Sequence, residues 1–160
     1  MGSPMSSQPL MFGLYRTVRL IGKGGMGSVY EAIHTQIERR AAIKVLSKAL
    51  AGDHKVATRF MNEARAVNIV SHPAMVTVSD FGEQDGVPFI VMEFLEGETL
   101  HQRIRSLRGR PMPLLAAAQI IRQIASGLEA AHAKGIIHRD LKPQEIFPRR
   151  KSTQKLPQLV

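Results

Sequence analysis

The chain has 160 residues, no cysteine, and a formal net charge of +9 from 22 Lys and Arg against 13 Asp and Glu. A hydrophobic fraction of 44% with 22% charged residues is that of a globular domain large enough to bury a core. Without cysteine there is no disulfide scaffold, iron–sulfur cluster or thiolate zinc site, and the six histidines lack the spacing of a metal pair.

The basic excess gathers late. Arg149, Arg150, Lys151 and Lys155 follow the last acid, Glu145. Such a tail can meet polyanions, but no aromatic lies among these cations to stack on bases, so a solvated end is the reading and no nucleic-acid partner is expected. No apolar run approaches the ~18–20 residues of a membrane span. Met1–Ser6 lacks the basic start and apolar stretch of a secretory signal. Its Gly2 and Ser6 fit a loose myristoylation pattern that chance also produces. A cytoplasmic chain is expected.

Residues 1–13 are rich in Ser, Pro and Gln without periodicity, and read as a flexible lead-in. Three β-rich runs follow, Tyr15–Ile21, Ser28–His34 and Arg40–Leu46, and predict an antiparallel meander. Residues 55–71 switch to helical spacing, with Phe60, Ala64 and Val67 on one face, and His72-Pro73 stops the helix. Met75–Phe81 and Val87–Phe94 read as strands around Glu83–Gly86, and Thr99–Arg105 as a short helix. The longest helix is predicted over Pro113–Ala133, with Ile121, Ile124, Leu128 and Ala131 as its stripe and Gly135 as its stop. On that helix Ile120, Ile121, Ile124 and Leu128 are expected to form an exposed apolar face.

Between the first two strands, Gly22, Gly24 and Gly27 form G-x-G-x-x-G. Glycines let a backbone approach a polyphosphate, although a glycine-rich hairpin has the same appearance. A dinucleotide fold needs a helix after the third glycine and an acid about twenty residues on. Here Ser-Val-Tyr-Glu-Ala-Ile-His alternates like a strand, and the distant position is held by Lys44. No Gly-Lys-Ser/Thr closes a Walker loop. A hairpin covering phosphates, followed by a lysine strand, fits better.

At Lys44 the pattern resembles a known family. Gly22–Val29 is similar to the glycine loop of protein kinases and Ala41-Ala42-Ile43-Lys44 to their V-A-I-K strand. Glu63 stands on the next helix, where that family keeps a lysine-pairing glutamate. His138-Arg139-Asp140-Leu141-Lys142-Pro143 resembles the catalytic loop. These motifs are spread in order over residues 14–147. The lysine after Asp140-Leu141 resembles serine/threonine kinases, and the wording of the glycine loop and of Val91–Leu100 the bacterial branch.

The resemblance implies an α+β, protein-kinase-like fold: a complete five-stranded N-lobe with one helix (14–95) and the first helices of an incomplete C-lobe (96–147). A flexible N-terminus (1–13) precedes them and a basic, unrelated tail (148–160) follows. It implies ATP and Mg²⁺ as cofactors and a protein substrate. Ile21, Gly22, Lys23, Gly24, Gly25, Met26, Gly27, Ser28 and Val29 would cover the nucleotide. Lys44 would hold its α/β-phosphates and Glu63 would hold Lys44. Ile21, Val29, Ala42 and Phe147 would sandwich the adenine, Met92 would guard the back of its pocket, and Glu93–Leu95 would offer hinge backbone. Asp140 would accept the substrate hydroxyl's proton, and Lys142 would neutralise the γ-phosphate.

The pattern departs from the family at Glu145, which stands where an Asn would hold magnesium. Glutamate can ligate the ion through oxygen but is longer, charged and lacks the amide donor. After Asp140 there is no Asp-Phe-Gly, activation segment or Ala-Pro-Glu, so the chain reads as truncated after the catalytic loop. The expected function is a serine/threonine protein kinase by descent, impaired in this chain. The alternative is a non-catalytic, pseudokinase-like module that binds nucleotide or a partner.

Overall fold

The computed structural model describes residues 8–148 and, for the backbone, Gln158–Leu159. The alternating runs after residue 10 build one six-stranded antiparallel sheet. Its strands are β1 (Met11–Phe12), β2 (Tyr15–Lys23), β3 (Gly27–His34), β4 (Arg40–Leu46), β5 (Val78–Gln84) and β6 (Val87–Glu93), in the spatial order β1-β2-β3-β4-β6-β5. Five of these are the strands predicted. The β5–β6 turn is tighter than expected, because β5 runs on to Gln84. Asp85 and Gly86, at φ 52° and 74°, then close a two-residue turn of the type that matches strand twist.

The alternation of β4 decides what each face of the sheet does. Ala41, Ile43 and Val45 enter a core cluster with Phe12, Ala32, Val87, Phe89 and Val91, while Ala42, Lys44 and Leu46 take the other face. Between β4 and β5 lie a short helix α1 (Lys48–Ala51), absent from the expectation, and α2 (His54–Ile69). Asp53 caps α2 by accepting from the Lys55 and Val56 amides at 2.9 and 3.3 Å.

The chain divides into two compact units, one within Met1–Ala64 and Val78–Phe94, the other within Arg65–Thr77 and Leu95–Val160. Besides a break between Phe94 and Leu95, this division has breaks between Ala64 and Arg65 and between Thr77 and Val78. The last turn of α2 and the stretch through Thr77 cluster with the later residues.

The second unit contains α3 (Leu100–Ser106) and α4 (Leu114–His132). Thr99 and Gln102 form a reciprocal capping box at the start of α3. At the end of α4, Gly135 turns left-handed at φ 71°, and the Ile136 amide reaches back to the Ala131 carbonyl at 3.0 Å. The α4 stripe is rotated from the predicted one. Ile120, Gly127 and Ala131 are buried, with Ile120 and Ala131 beside Val70, Met75 and Ile146, whereas Ile121 is 66% exposed. Helical spacing allowed both stripes, and the positions of Val70, Met75 and Ile146 select one. The exposed face expected of Ile120, Ile121, Ile124 and Leu128 is thus corrected: Ile120 is buried, Ile124 packs against the same cluster, Leu128 is half-buried, and of the four only Ile121 is exposed.

Two short strands, β7 (Ile146–Phe147) and β8 (Gln158–Leu159), pair antiparallel. Gln158 and Leu159 of the expected tail form that second strand. The rest of that expectation, from Arg149 to Pro157 with Val160, lies outside the described residues, as does the lead-in before Gln8.

The lead-in expectation fails at β1. Phe12 is 7% exposed, with its ring 5.4 Å from that of Phe89 and 6.3 Å from that of Tyr30. Buried Thr17 ties the segment down: its Oγ1 accepts from the Leu10 amide at 2.8 Å, and its own amide donates to the Leu10 carbonyl at 2.9 Å. Phe12→Ala should cost about 3–5 kcal/mol of stability, read from urea denaturation. A flexible lead-in would lose nothing measurable.

Candidate functional site

On the sheet face opposite the Ile43 core, register gathers the residues expected to meet a nucleotide. Val29 pairs with Lys44, Ala42 with Met92, and Lys44 with Ile90, so Val29, Ala42, Lys44 and Met92 share one face. Ala42 and Met92 are buried, and Ile21 near the end of β2 is 40% exposed. Glu93 ends β6. Lys44 Nζ lies 3.6 Å from Glu63 Oε2 on α2 and 5.9 Å from the centre of the Phe60 ring. Glu63 is also 3.9 Å from Arg59 one helical turn earlier. With the Lys44 and Glu63 side chains 34% and 44% exposed, the pair adds about 0–1 kcal/mol of stability, so its consequence is orientation.

The glycine hairpin divides into two parts. The Gly24 amide donates to the Gly27 carbonyl at 2.8 Å, which leaves Gly25 and Met26 at the tip, and the Met26 carbonyl accepts from the Ser47 amide at 2.9 Å. A Cβ on Gly27 would stand 2.0 Å from the Val45 carbonyl oxygen, so this glycine lets β3 and β4 come together. A Cβ on Gly24 or Gly25 would meet nothing within 4 Å, and neither residue has a positive φ. The protein's own packing gives no reason for glycine at those two positions. A ligand approaching the backbone would.

Sequence reasoning missed a charged row on the same face. Glu31, 6% exposed, pairs across the sheet with Arg19 and Ala42. Its carboxylate receives Arg19 Nε at 2.7 Å and Arg40 Nη2 at 2.8 Å, and the Arg40 guanidinium lies 4.1 Å over the Phe94 ring. Burial pushes the Glu31 pKa up, but the hydrogen bonds from Arg40 and Arg19 outweigh it and hold it below its ordinary 4.5. The resulting stabilisation is present above that ordinary value and is lost as pH falls through the lowered one. Alternation placed Glu31 on this face, but only the register could show two arginines meeting it.

The second unit holds the remaining expected residues. Asp140 follows Arg139, whose φ of 64° with the Asp140 amide bonded to the His138 carbonyl at 2.9 Å makes a left-handed γ-turn. Such strain persists where the surroundings enforce it, often at functional loops. Lys142 Nζ lies 2.6 Å from Asp140 Oδ2 and 3.4 Å from Glu145 Oε1. The hydrogen bond to Asp140 raises the Lys142 pKa above 10.5, burial opposes it, and Glu145 adds to the rise. Phe147 stands on β7 in this unit, half-buried.

Magnesium, which the resemblance implies, does not fit the described residues as they stand. One Glu145 oxygen is engaged by Lys142, and the other is buried without a hydrogen-bond partner, 4.0 Å from His138 Nε2. Among the described residues no three His, Cys, Asp or Glu side chains converge as a metal group.

A glycine hairpin over a lysine strand, a glutamate on the following helix and a strained His-Arg-Asp loop together define a protein kinase fold. The chain belongs to the protein kinase domain family, whose profile matches residues 15–157. That match continues past Pro148, so the tail expected to be unrelated lies within the family likeness as far as residue 157. The chain is 46% identical over 135 residues to serine/threonine-protein kinase pkn2 of Myxococcus xanthus, covering 84% of this chain and 16% of that protein. It is 43% identical over 146 residues to serine/threonine-protein kinase PknE of Mycobacterium tuberculosis, covering 91% of this chain and 25% of the relative. Among solved structures, the kinase domain of Mycobacterium tuberculosis PknI superposes with a TM-score of 0.77 at 29% identity, over 96% of this chain and 60% of that one. The chain thus spans a quarter or less of these two curated relatives. No helix among the described residues is long and apolar enough to cross a membrane.

The two kinds of glycine make a direct test. Gly27→Ala should destabilise by about 1–3 kcal/mol or more, because β3 or β4 must shift. Gly24→Ala should stay within about 0.5 kcal/mol of the parent. Thermal unfolding of both variants checks this, and equal melting temperatures would contradict it.

Proposed function

We propose that this chain is the nucleotide-holding part of a serine/threonine protein kinase that uses ATP to phosphorylate protein hydroxyl groups. The observation that carries this reading is the Lys44–Glu63 pair at 3.6 Å, on the sheet face that also presents Val29, Ala42 and Met92. A fixed ammonium beside an apolar floor suits a ligand with a flat ring and a polyphosphate. Gly24 and Gly25, which the fold itself does not require, fit the approach of phosphate oxygens to backbone amides.

In this reading each group has one task. Val29, Ala42 and Ile21 cover one face of the ring. Met92 limits the depth of the pocket, and the backbone from Glu93 to Leu95 hydrogen-bonds the adenine edge. Lys44 draws the α- and β-phosphate oxygens into place, while Glu63 keeps its ammonium from swinging into solvent. Asp140, 73% exposed in its side chain, accepts the proton of the attacking hydroxyl. Lys142, bonded to it, carries positive charge towards the transferred phosphoryl group.

Glu145 favours the second reading for residues 1–160: a module that holds nucleotide without transferring phosphate. Its carboxylate competes for Lys142, and the position offers no amide to brace the loop. Misplacement of a reacting group by ~1 Å can cost ~100-fold in rate.

Two measurements follow. Purified 1–160 should bind a fluorescent ATP analogue, and Lys44→Met should weaken that binding about tenfold or more; equal affinity would remove Lys44 from the site. The same polypeptide should incorporate no γ-phosphate into a generic basic protein. Incorporation that Asp140→Asn abolishes would show that the loop with Glu145 is competent.

A further inference from the structure

Arg40 is a residue that neither the glycine loop nor the catalytic-loop motif includes. It opens β4 two positions before Ala42 and four before Lys44, on their face of the sheet. The β4–β6 register pairs Ala41 with Glu93, so continuing it by one step sets Arg40 opposite Phe94, where the chain leaves β6. Arg40 fills that position with its guanidinium 4.1 Å from the Phe94 ring centre. Its other side is held by Glu31, which accepts from Arg40 Nε at 3.0 Å and Nη2 at 2.8 Å and is anchored in turn by Arg19 at 2.7 Å.

We infer that Arg40, braced by Glu31, is a positioning residue for the hinge: it fixes Phe94 and thereby the backbone from Glu93 that meets the adenine edge. The inference rests on the nucleotide-binding reading above and assigns a role to a residue that reading leaves out.

Three features support it. The guanidinium is planar, and its Nε and Nη2 both donate to one Glu31 oxygen, so one edge is held by Glu31 while the group lies over the Phe94 ring. Glu31 is buried and holds both arginines, so the row Arg19–Glu31–Arg40–Phe94 runs across β2, β3 and β4 to the end of β6. The row also lies on the face that carries Ala42 and Met92, next to the proposed ring pocket and distant in register from the glycine tip at Gly25. Its effect should fall on the ring end of a nucleotide and spare the phosphate end.

That asymmetry makes the test. Affinities of 1–160 for adenosine, inorganic tripolyphosphate and ATP are measured by calorimetry for the parent, Arg40→Ala, Arg40→Lys, Phe94→Leu and Lys44→Met. Arg40→Ala should weaken adenosine and ATP roughly fivefold while tripolyphosphate changes less than about twofold. Arg40→Lys, which keeps the charge but loses the flat guanidinium and its Nε–Nη2 edge, should recover only part. Lys44→Met should show the opposite split, losing tripolyphosphate and sparing adenosine. Phe94→Leu, which leaves the Arg40–Glu31 pair intact, should reproduce the adenosine loss and serves if Arg40→Ala fails to fold. A merely structural role for Arg40 would lower the melting temperature and weaken both ends alike, or neither, and would overturn the inference. A parent chain that binds neither adenosine nor ATP would overturn the nucleotide reading itself, whereas a binding parent with unchanged Arg40 and Phe94 variants would overturn this inference alone.

Discussion

The register of β4 governs both the stability of the first unit and the chemistry it presents. Along Arg40–Leu46 successive side chains point to opposite faces, so Ile43 reaches the core while Lys44 reaches Glu63 at 3.6 Å. A slip of one residue would bury the ammonium and expose the isoleucine. Burying an unpaired lysine costs several kcal/mol, which makes the slipped pairing self-excluding. The hydrophobic pattern that folds the sheet therefore also aims Lys44. Gly27 belongs to the same constraint, since only a residue without Cβ allows β3 to close on Val45.

Two kinds of charge cluster result, and they act differently. Lys44 and Glu63 are partly exposed, so their pairing adds little stability and leaves the ammonium accessible to an anion. Glu31 is buried between Arg19 and Arg40, with its pKa held down by both hydrogen bonds, and behaves as a fixed joint across the strands. In the second unit Lys142 is shared between Asp140 and Glu145. Glu145 thus competes with Asp140 for the same cation.

Much of this was legible in the sequence because it depended on local period and on motif spacing. Alternation revealed five of the six strands of the sheet, and His72-Pro73 and Gly135 marked where helices end. Two-residue β1 was hidden by its length. Its signal, Met11-Phe12-Gly13-Leu14-Tyr15, lies in a Ser- and Pro-rich stretch, and only the burial of Phe12 and the Thr17–Leu10 bonds give it weight. The rotated stripe of α4 was ambiguous in principle, since Ile120 and Ile121 both satisfy helical spacing until Val70, Met75 and Ile146 are in place. The Glu31 row and the Lys142–Glu145 pair depend on cross-strand register and loop geometry, which composition does not encode. The glycine motif was read as one functional unit, yet Gly27 answers to packing while Gly24 and Gly25 do not.

The central claim is that Glu63 acts through Lys44, holding its ammonium where phosphate oxygens arrive. A double-mutant cycle on ATP affinity tests it most directly, using Lys44→Met, Glu63→Gln and the double variant of residues 1–160. Action through Lys44 predicts strong non-additivity: once Lys44 is gone, removing the Glu63 charge should change affinity less than about twofold. Additive losses, with Glu63→Gln weakening ATP equally in both backgrounds, would mean that the two residues act independently and would contradict the account.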